Sequence, residues 1–283
     1  MPNSAQNFNQ RVIEEFRANH GRVGGMFEGA RLLLLTTTGA RSGEPHTTPL
    51  GYLHGESGEM IVIASAGGAP THPAWYHNVR ANPKVTVESD NFTYTAEARV
   101  LVGEERDTVF RRAAVADPGW QEYQDNAGRT LPVVALTMVD GGPNAEGGWG
   151  DALVAIHATF RRELALVRAE VAASGGSIGA QLRINCLSVC EGLHTHHHHE
   201  DAGVFPSLAE GNPELRPALE RLGEEHKEIA RLVDELQAVI REDDRTPAEL
   251  LATVDRLIAD LEAHLDYEEE HLVPVLNGLS LDG

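Results

Sequence analysis

Two segments of this chain share one spacing: His196-His-His-His-Glu200 leads on to Pro206, and His264-Leu-Asp-Tyr-Glu268 leads on to Pro274. In each, a glutamate follows the histidine by four residues and a proline follows it by ten. A separation of four sets an imidazole and a carboxylate on one face of an α-helix. Two such helices facing each other make half of a metal site. With 14 histidines in the chain a single pair carries little weight. The constraint lies in the repetition, and the prolines are expected to end both helices at the same offset. The run of four histidines sits mid-chain and continues into Glu200-Asp201 and Phe205-Pro206, which sets it apart from an expression tag.

The C-terminal half can supply the helices this site needs. Four long amphipathic patterns, about 151–173, 178–201, 213–242 and 247–276, follow one another without strand signals, the count and length of a four-helix bundle. The first and third patterns each carry one well-placed histidine, His157 and His226. Upstream the pattern changes. Short β-rich runs at 31–38, 59–65, 84–88, 92–102 and 132–139 alternate with turn signals and predict a small antiparallel barrel, decorated by helices at about 5–19, 72–81 and 103–116. The glycine-rich stretch 141–150 separates the halves, giving domains at 1–140 and 151–283 joined by a linker. The expected fold class is therefore an α+β split β-barrel followed by an all-α bundle.

Composition excludes some functions. The 23 basic side chains face 43 acidic ones, a net charge of −20, which argues against nucleic acid or an anionic membrane as partner. No apolar run approaches the roughly 18 residues of a membrane span. The polar start lacks a signal-like apolar core, so a cytoplasmic protein is expected. Cys186 and Cys190, the only two cysteines, read as core packing.

Over nearly its whole length the second domain resembles the hemerythrin family of HHE cation-binding domains, on the strength of the paired His-x-x-x-Glu-x-x-x-x-x-Pro segments. The resemblance implies a non-haem di-iron centre. On that mapping His157, His196, His226 and His264 are terminal ligands, and Glu200 and Glu268 are bridges. Oxygen carriers of this family place a further histidine one turn after the one on the third helix, where this chain has Ala230. Four imidazoles and two bidentate bridges fill about eight of roughly twelve positions on two six-coordinate ions. That favours reaction with oxygen, peroxide or nitric oxide over reversible oxygen storage. His194, His197, His198, His199 and His271 are spare, and most of them are expected in solvent because each step along a helix turns by about 100°. Glu191, Glu225 and Glu269 are left open as ligands or as partners of ligands.

In the first domain, Thr38-Gly-Ala-Arg-Ser-Gly-Glu-Pro45 reads equally as a plain hairpin or as a phosphate-holding turn. The segment Ser65-Ala-Gly-Gly-Ala-Pro-Thr-His-Pro-Ala-Trp-Tyr-His-Asn78 joins glycines, which admit a close ligand, to aromatic surface. Together with Val79–Val87 and Thr130–Val134, these residues look like the deazaflavin-dependent nitroreductase and quinone reductase family. The match covers about residues 10–140. That resemblance implies coenzyme F420 as hydride donor to a small-molecule acceptor. Arg41 and Ser42 would hold its phosphate, while Ser65, Gly67, Gly68 and Ala69 would lie along the deazaflavin ring. Trp75, Tyr76 and Asn78 would shape that wall, and Trp120 and Tyr123 would close the acceptor side. Folds of this kind often pair as homodimers.

The chain departs from the family pattern at Ala40, His46, Ala66 and Asp117. FMN or haem therefore stays open as an alternative occupant. The fusion suggests a reductase coupled to the di-iron centre; the alternative reading is an iron or oxygen sensor whose barrel only binds a ligand.

Overall fold

The four-leucine run Leu32–Leu35 is buried on both faces, which is why it reads as continuous rather than alternating. It lies in β1 (Leu32–Thr38). Leu33 and Leu35 face the barrel interior, where Val62, Val87 and Val134 meet them. Leu32 and Leu34 turn the other way, under Val12, Ile13 and Phe16 of helix α1 (Ser4–Ala18). Fully burying one such side chain is worth about 1.5–3 kcal/mol, so β1 is a principal anchor of this half.

The computed structural model describes residues 4–144, 148–174, 178–241 and 246–279, with the side chains of residues 4–6 and 247 left undescribed. The chain divides into two compact units, Met1–Asn144 and Ala145–Gly283. Besides β1, the first unit has strands β2 (Pro45–Gly51), β3 (Leu53–His54), β4 (Met60–Ile63), β5 (Lys84–Ser89), β6 (Phe92–Val100) and β7 (Val133–Pro143). They form one antiparallel sheet of split-barrel type in the order β2-β1-β5-β6-β7-β4-β3. Helix α2 (Ala74–Ala81) lies near the expected position. Helices α3 (Gly103–Ala116) and α4 (Gly119–Ala127) cover the outer face of β4 and β7 through Phe110, Ala113 and Ala127. Buried Arg106 locks this layer, donating to the Leu131 carbonyl at 2.6 and 3.0 Å and to Gln124 Oε1 at 2.7 Å.

Two expectations need revision here. Strand β7 continues through Pro143 and pairs with β6 as far as Phe92, so the first glycines of the expected linker are strand. Gly141 fits because its φ is +133°, and a Cβ there would collide with the Thr93 and Tyr94 backbone. Residues 145–147 of that stretch lie outside the described residues.

The second unit is built on α5 (Trp149–Ala173), α6 (Ala180–His199), α8 (Arg216–Arg241) and α9 (Pro247–Leu276), with the short α7 (Phe205–Gly211) between α6 and α8. Each long helix packs on two others: α5 on α9 and α6, and α8 on α9 and α6. The Asn277 side chain caps the start of α5, accepting from the amides of Gly150 and Asp151 at 2.9 and 3.2 Å. The prolines do not stop the helices as expected. Pro274 lies within α9, near its end, where its missing N–H leaves the Glu270 carbonyl without its usual helical donor. Pro206 begins the next helical segment after a π-turn at Glu200–Val204. No described helix is long and apolar enough to cross a membrane.

Candidate functional site

The bundle core is interrupted by a polar level. One apolar cluster holds Leu164, Leu193, Ile229 and Leu265, and another holds Leu153, Leu222, Phe205 and Leu272. Between them lie His157 of α5, His196 and His197 of α6, Glu200 of the π-turn, His226 of α8, and His264 and Glu268 of α9. All six residues expected from the sequence are brought together. His157, Glu200, His226, His264 and Glu268 are buried at 3% exposure or less, and the His196 side chain is nearly so.

His197 was expected in solvent and is instead buried, stacked on His226 with ring centroids 4.2 Å apart and edge-on to His264 at 5.3 Å. The reason is geometric. In a ring of four helices each rod sees two neighbours at roughly a right angle, so two consecutive residues, about 100° apart, both face inward. His196 turns toward His157 at 5.3 Å, and His197 turns toward α8. His194, His198 and His199 are exposed. His271 is half-buried and spends its Nδ1 on the Tyr267 carbonyl at 2.8 Å, apart from the cluster.

Three of the inward imidazoles are oriented from behind. The Nδ1 of His157 lies 2.9 Å from Glu269, that of His226 2.9 Å from Asp201, and that of His264 3.1 Å from Glu225. An ionised carboxylate only accepts, so each Nδ1 carries a proton and each Nε2 points inward. Glu225 and Glu269 are thus partners of the ligand candidates, while Glu191 is exposed. Arg161 in turn holds Glu269 at 2.6 Å. Asp201 escaped the sequence reading because it directly follows Glu200; the π-turn widens the helix enough for both to serve the centre.

The Nε2 atoms of His157, His196, His197, His226 and His264, and both oxygens of Glu200 and Glu268, are buried without a hydrogen-bond partner. A buried polar atom left unpaired costs about 1–3 kcal/mol, so a closed, dry site of this kind would be heavily destabilising. The donors fall into two groups whose atoms lie within 4.8 Å of one another: His197, His226 and His264; and His157, His196, Glu200 and Glu268. Electrostatics follows from this crowding. Burial, then the charge of Glu268, pushes the Glu200 carboxyl well above the carboxylate range. For Glu268 burial opposes ionisation, but His157 outweighs it and the group stays low. Burial and the neighbouring His157 drive His196 down to about 3. His197 and His264 are also lowered, chiefly by burial. Burial likewise opposes the charged form of His157, yet Glu268 and Glu269 hold it above its usual range. His196, His197 and His264 are thus kept neutral, and neutral imidazoles beside carboxylates suit a transition metal.

The barrel residues behave differently. Trp75 and Tyr76 sit in the interior cluster with Leu33, Val62 and Val134, so they are core rather than an exposed aromatic wall. Asn78 is buried and both ends of its amide are engaged: Oδ1 accepts from the Ala40 amide at 3.0 Å, and Nδ2 donates to Thr37 Oγ1 at 3.0 Å. It shapes the β1–β2 turn from below. On that turn Arg41 is exposed and makes no ion pair among the described residues, while Ser42 Oγ lies 3.3 Å from His46 Nε2. The loop at Ser65–Ala69 is gripped by Arg129, an unforeseen residue that donates to the carbonyls of Ala64, Ser65, Ala69 and Thr71 at 3.0–3.3 Å. Gly68 has φ +80°, and a Cβ there would come within 3.2 Å of Asn126 and 3.6 Å of the Tyr123 ring. The structure therefore brings the glycine loop against α4. Trp120 and the exposed Tyr123 meet edge to face on that helix at 6.1 Å.

Comparison with known proteins agrees with this division. Residues 9–138 match the family described as F420H(2)-dependent quinone reductase, and residues 150–276 match the hemerythrin HHE cation binding domain. An F420H(2)-dependent quinone reductase of Mycobacterium tuberculosis strain H37Rv is 34% identical over 126 residues, 43% of this chain and 84% of that protein. The corresponding reductase of strain CDC 1551 gives the same figures. A solved F420-H2 dependent reductase (FDR-A) is 40% identical over 38% of this chain and 93% of its own, with a TM-score of 0.35. The chain belongs to the F420H(2)-dependent quinone reductase family, an oxidoreductase class, and carries a hemerythrin HHE domain in its second half.

Proposed function

We propose that the chain is a two-domain oxidoreductase. Its barrel would bind reduced F420 and pass the hydride to a quinone, nitro compound or related small acceptor. Its bundle would hold a pair of iron ions that reacts with oxygen, peroxide or nitric oxide. The observation that carries the metal reading is the set of unpartnered Nε2 and carboxylate atoms converging between two apolar clusters. Such atoms are tolerated in a folded core when a ligand satisfies them.

The donor set fits iron: His197, His226 and His264 would serve one ion, His157 and His196 the other, with Glu200 and Glu268 between them. With His197 included, five imidazoles and two bidentate carboxylates supply nine donors for about twelve positions. Glu269, Asp201 and Glu225 fix the tautomers that keep Nε2 available.

In the barrel the exposed Arg41 and Ser42 suit an acidic tail, and the open, side-chain-free face of Gly67 suits a flat ring near Trp120 and Tyr123. Asn78 and Arg129 hold those two loops in place. When bound, F420 supplies a hydride and iron supplies open coordination positions, while the residues named here bind, orient and exclude water.

Anaerobic mixing of the iron-loaded chain with reduced F420 tests the coupling. Bleaching of the ferric charge-transfer bands, directly or on adding a catalytic quinone, is expected. Bands that persist through many turnovers of quinone reduction would leave two independent activities on one chain.

A further inference from the structure

The Ala230 position, one turn beyond His226, does more than lack an imidazole. It borders a half-open cavity of about 170 Å³ on the α6–α8 face of the bundle. His194 and His198 line the same cavity and are exposed, whereas His197 and His226 line it from the buried side. Imidazoles thus line this cavity on both its exposed and its buried side. One water needs on the order of 10–15 Å³ of such space, so an ion can occupy the cavity with much of its hydration shell.

His194 and His198 are four apart on α6 and share a face, the spacing at which two imidazoles converge on one divalent ion. Neither makes a hydrogen bond among the described residues, and His198 has a ring contact with His199 alone, at 6.2 Å. The charged residues lining the cavity are Lys227 and Asp201. Lys227 is paired with Glu224 at 2.6 Å, and Asp201, whose carboxylate is half-exposed, contributes a negative group at the inner end. The methyl of Ala230 leaves the passage open, and a longer side chain there would fill it.

We propose that this cavity is the entry route of ferrous ion to the bundle centre, with the His194/His198 pair as the first holding point and His197 as the next. Transfer is ligand exchange: water leaves the ion as imidazole nitrogen binds, and no electron moves. The inference rests on the metal-centre reading above.

The test uses the intact chain, stripped of metal and mixed anaerobically with limiting ferrous salt. Free ferrous ion is followed with a chromogenic chelator, and bound iron is measured at the end point. The exposed double substitution His194→Ala/His198→Ala and the plug Ala230→Leu are each expected to slow uptake at least about tenfold, the lower end of the cost of losing a well-placed metal partner, with the end point unchanged. His199→Ala, exposed on the same run but outside the cavity, is expected to load at the parent rate. Parent-like rates in both cavity variants, an equal slowing in His199→Ala, or a fall in end point instead of rate would overturn the entry route while leaving the centre intact. A parent chain that binds no iron at any concentration would remove the centre and the route together.

Discussion

The two halves of this chain place polar chemistry in opposite ways. In the barrel, the residues expected at the cofactor site are either satisfied by the protein itself or exposed on its surface. Asn78 bonds through both ends of its amide to Thr37 and Ala40 at the end of β1, and Trp75 and Tyr76 are core. In the bundle, the corresponding residues are buried and left unsatisfied. The first arrangement stabilises an empty protein and binds through loops and backbone. The second is costly until filled. A site made from core positions is thus coupled to the stability of its domain, and a site made from loops is much less so.

The largest effect that sharpens this contrast concerns metal retention. Glu268→Ala is expected to reduce bound iron from about two ions per chain to well under one, since a bridge serves both ions, as measured by metal analysis after gel filtration. Retention of the full complement would remove Glu268 from the centre.

Next comes stability in the absence of metal, where substitutions in the two halves should have opposite signs. Trp75→Ala is expected to cost about 3–5 kcal/mol in denaturant unfolding of the barrel. Replacing Glu200 by leucine is expected to stabilise the metal-free bundle by about 1–3 kcal/mol, since both its oxygens are buried without a hydrogen-bond partner. Loss of stability in the second variant would break the comparison.

Smaller effects belong to the groups behind the ligand candidates. Asp201→Ala, Glu225→Ala and Glu269→Ala are each expected to weaken ferrous affinity by about 10- to 100-fold, with the fold retained, by competition with a chelator of known strength.

The smallest effect is the pH dependence of the empty bundle. Glu200 and His157 are both raised in the folded state, so their contribution is full below their unfolded values and is lost as pH rises through the folded ones. His196 is depressed to about 3, and its opposing contribution is complete above its ordinary value of 6.5. The melting temperature of the metal-free bundle should therefore fall as pH rises from about 6.5. A rise over that range would contradict the assignment of the raised groups.

Much of this was legible in the sequence because burial imposes periodicity. The duplicated His-x-x-x-Glu named both carboxylates and two of the imidazoles, and β1, β5 and β7 stood out as β-rich runs. What escaped lacked that signal. Strand β2 begins with proline, is at most half-buried, and reads as a loop, although β1 pairs with it along its whole length. Helix α4 is short and buries only Ala127 fully. Asp201 depends on a π-turn, which no 3.6-residue period anticipates. His197 was missed because a single helical face was assumed, whereas a helix in a four-membered ring presents two. Among adjacent histidines on such a helix, two consecutive inward positions are the pattern to seek.

The interior imidazoles and carboxylates are proposed as a metal site. This assignment is tested most directly by anaerobic ferrous titration of the metal-free chain, followed at once by calorimetric unfolding and iron analysis. The account predicts saturation near two ions per chain and a marked rise in the bundle's unfolding temperature, with the barrel transition unmoved. Saturation without any shift in the bundle transition, or a bundle that retains no iron, would contradict it.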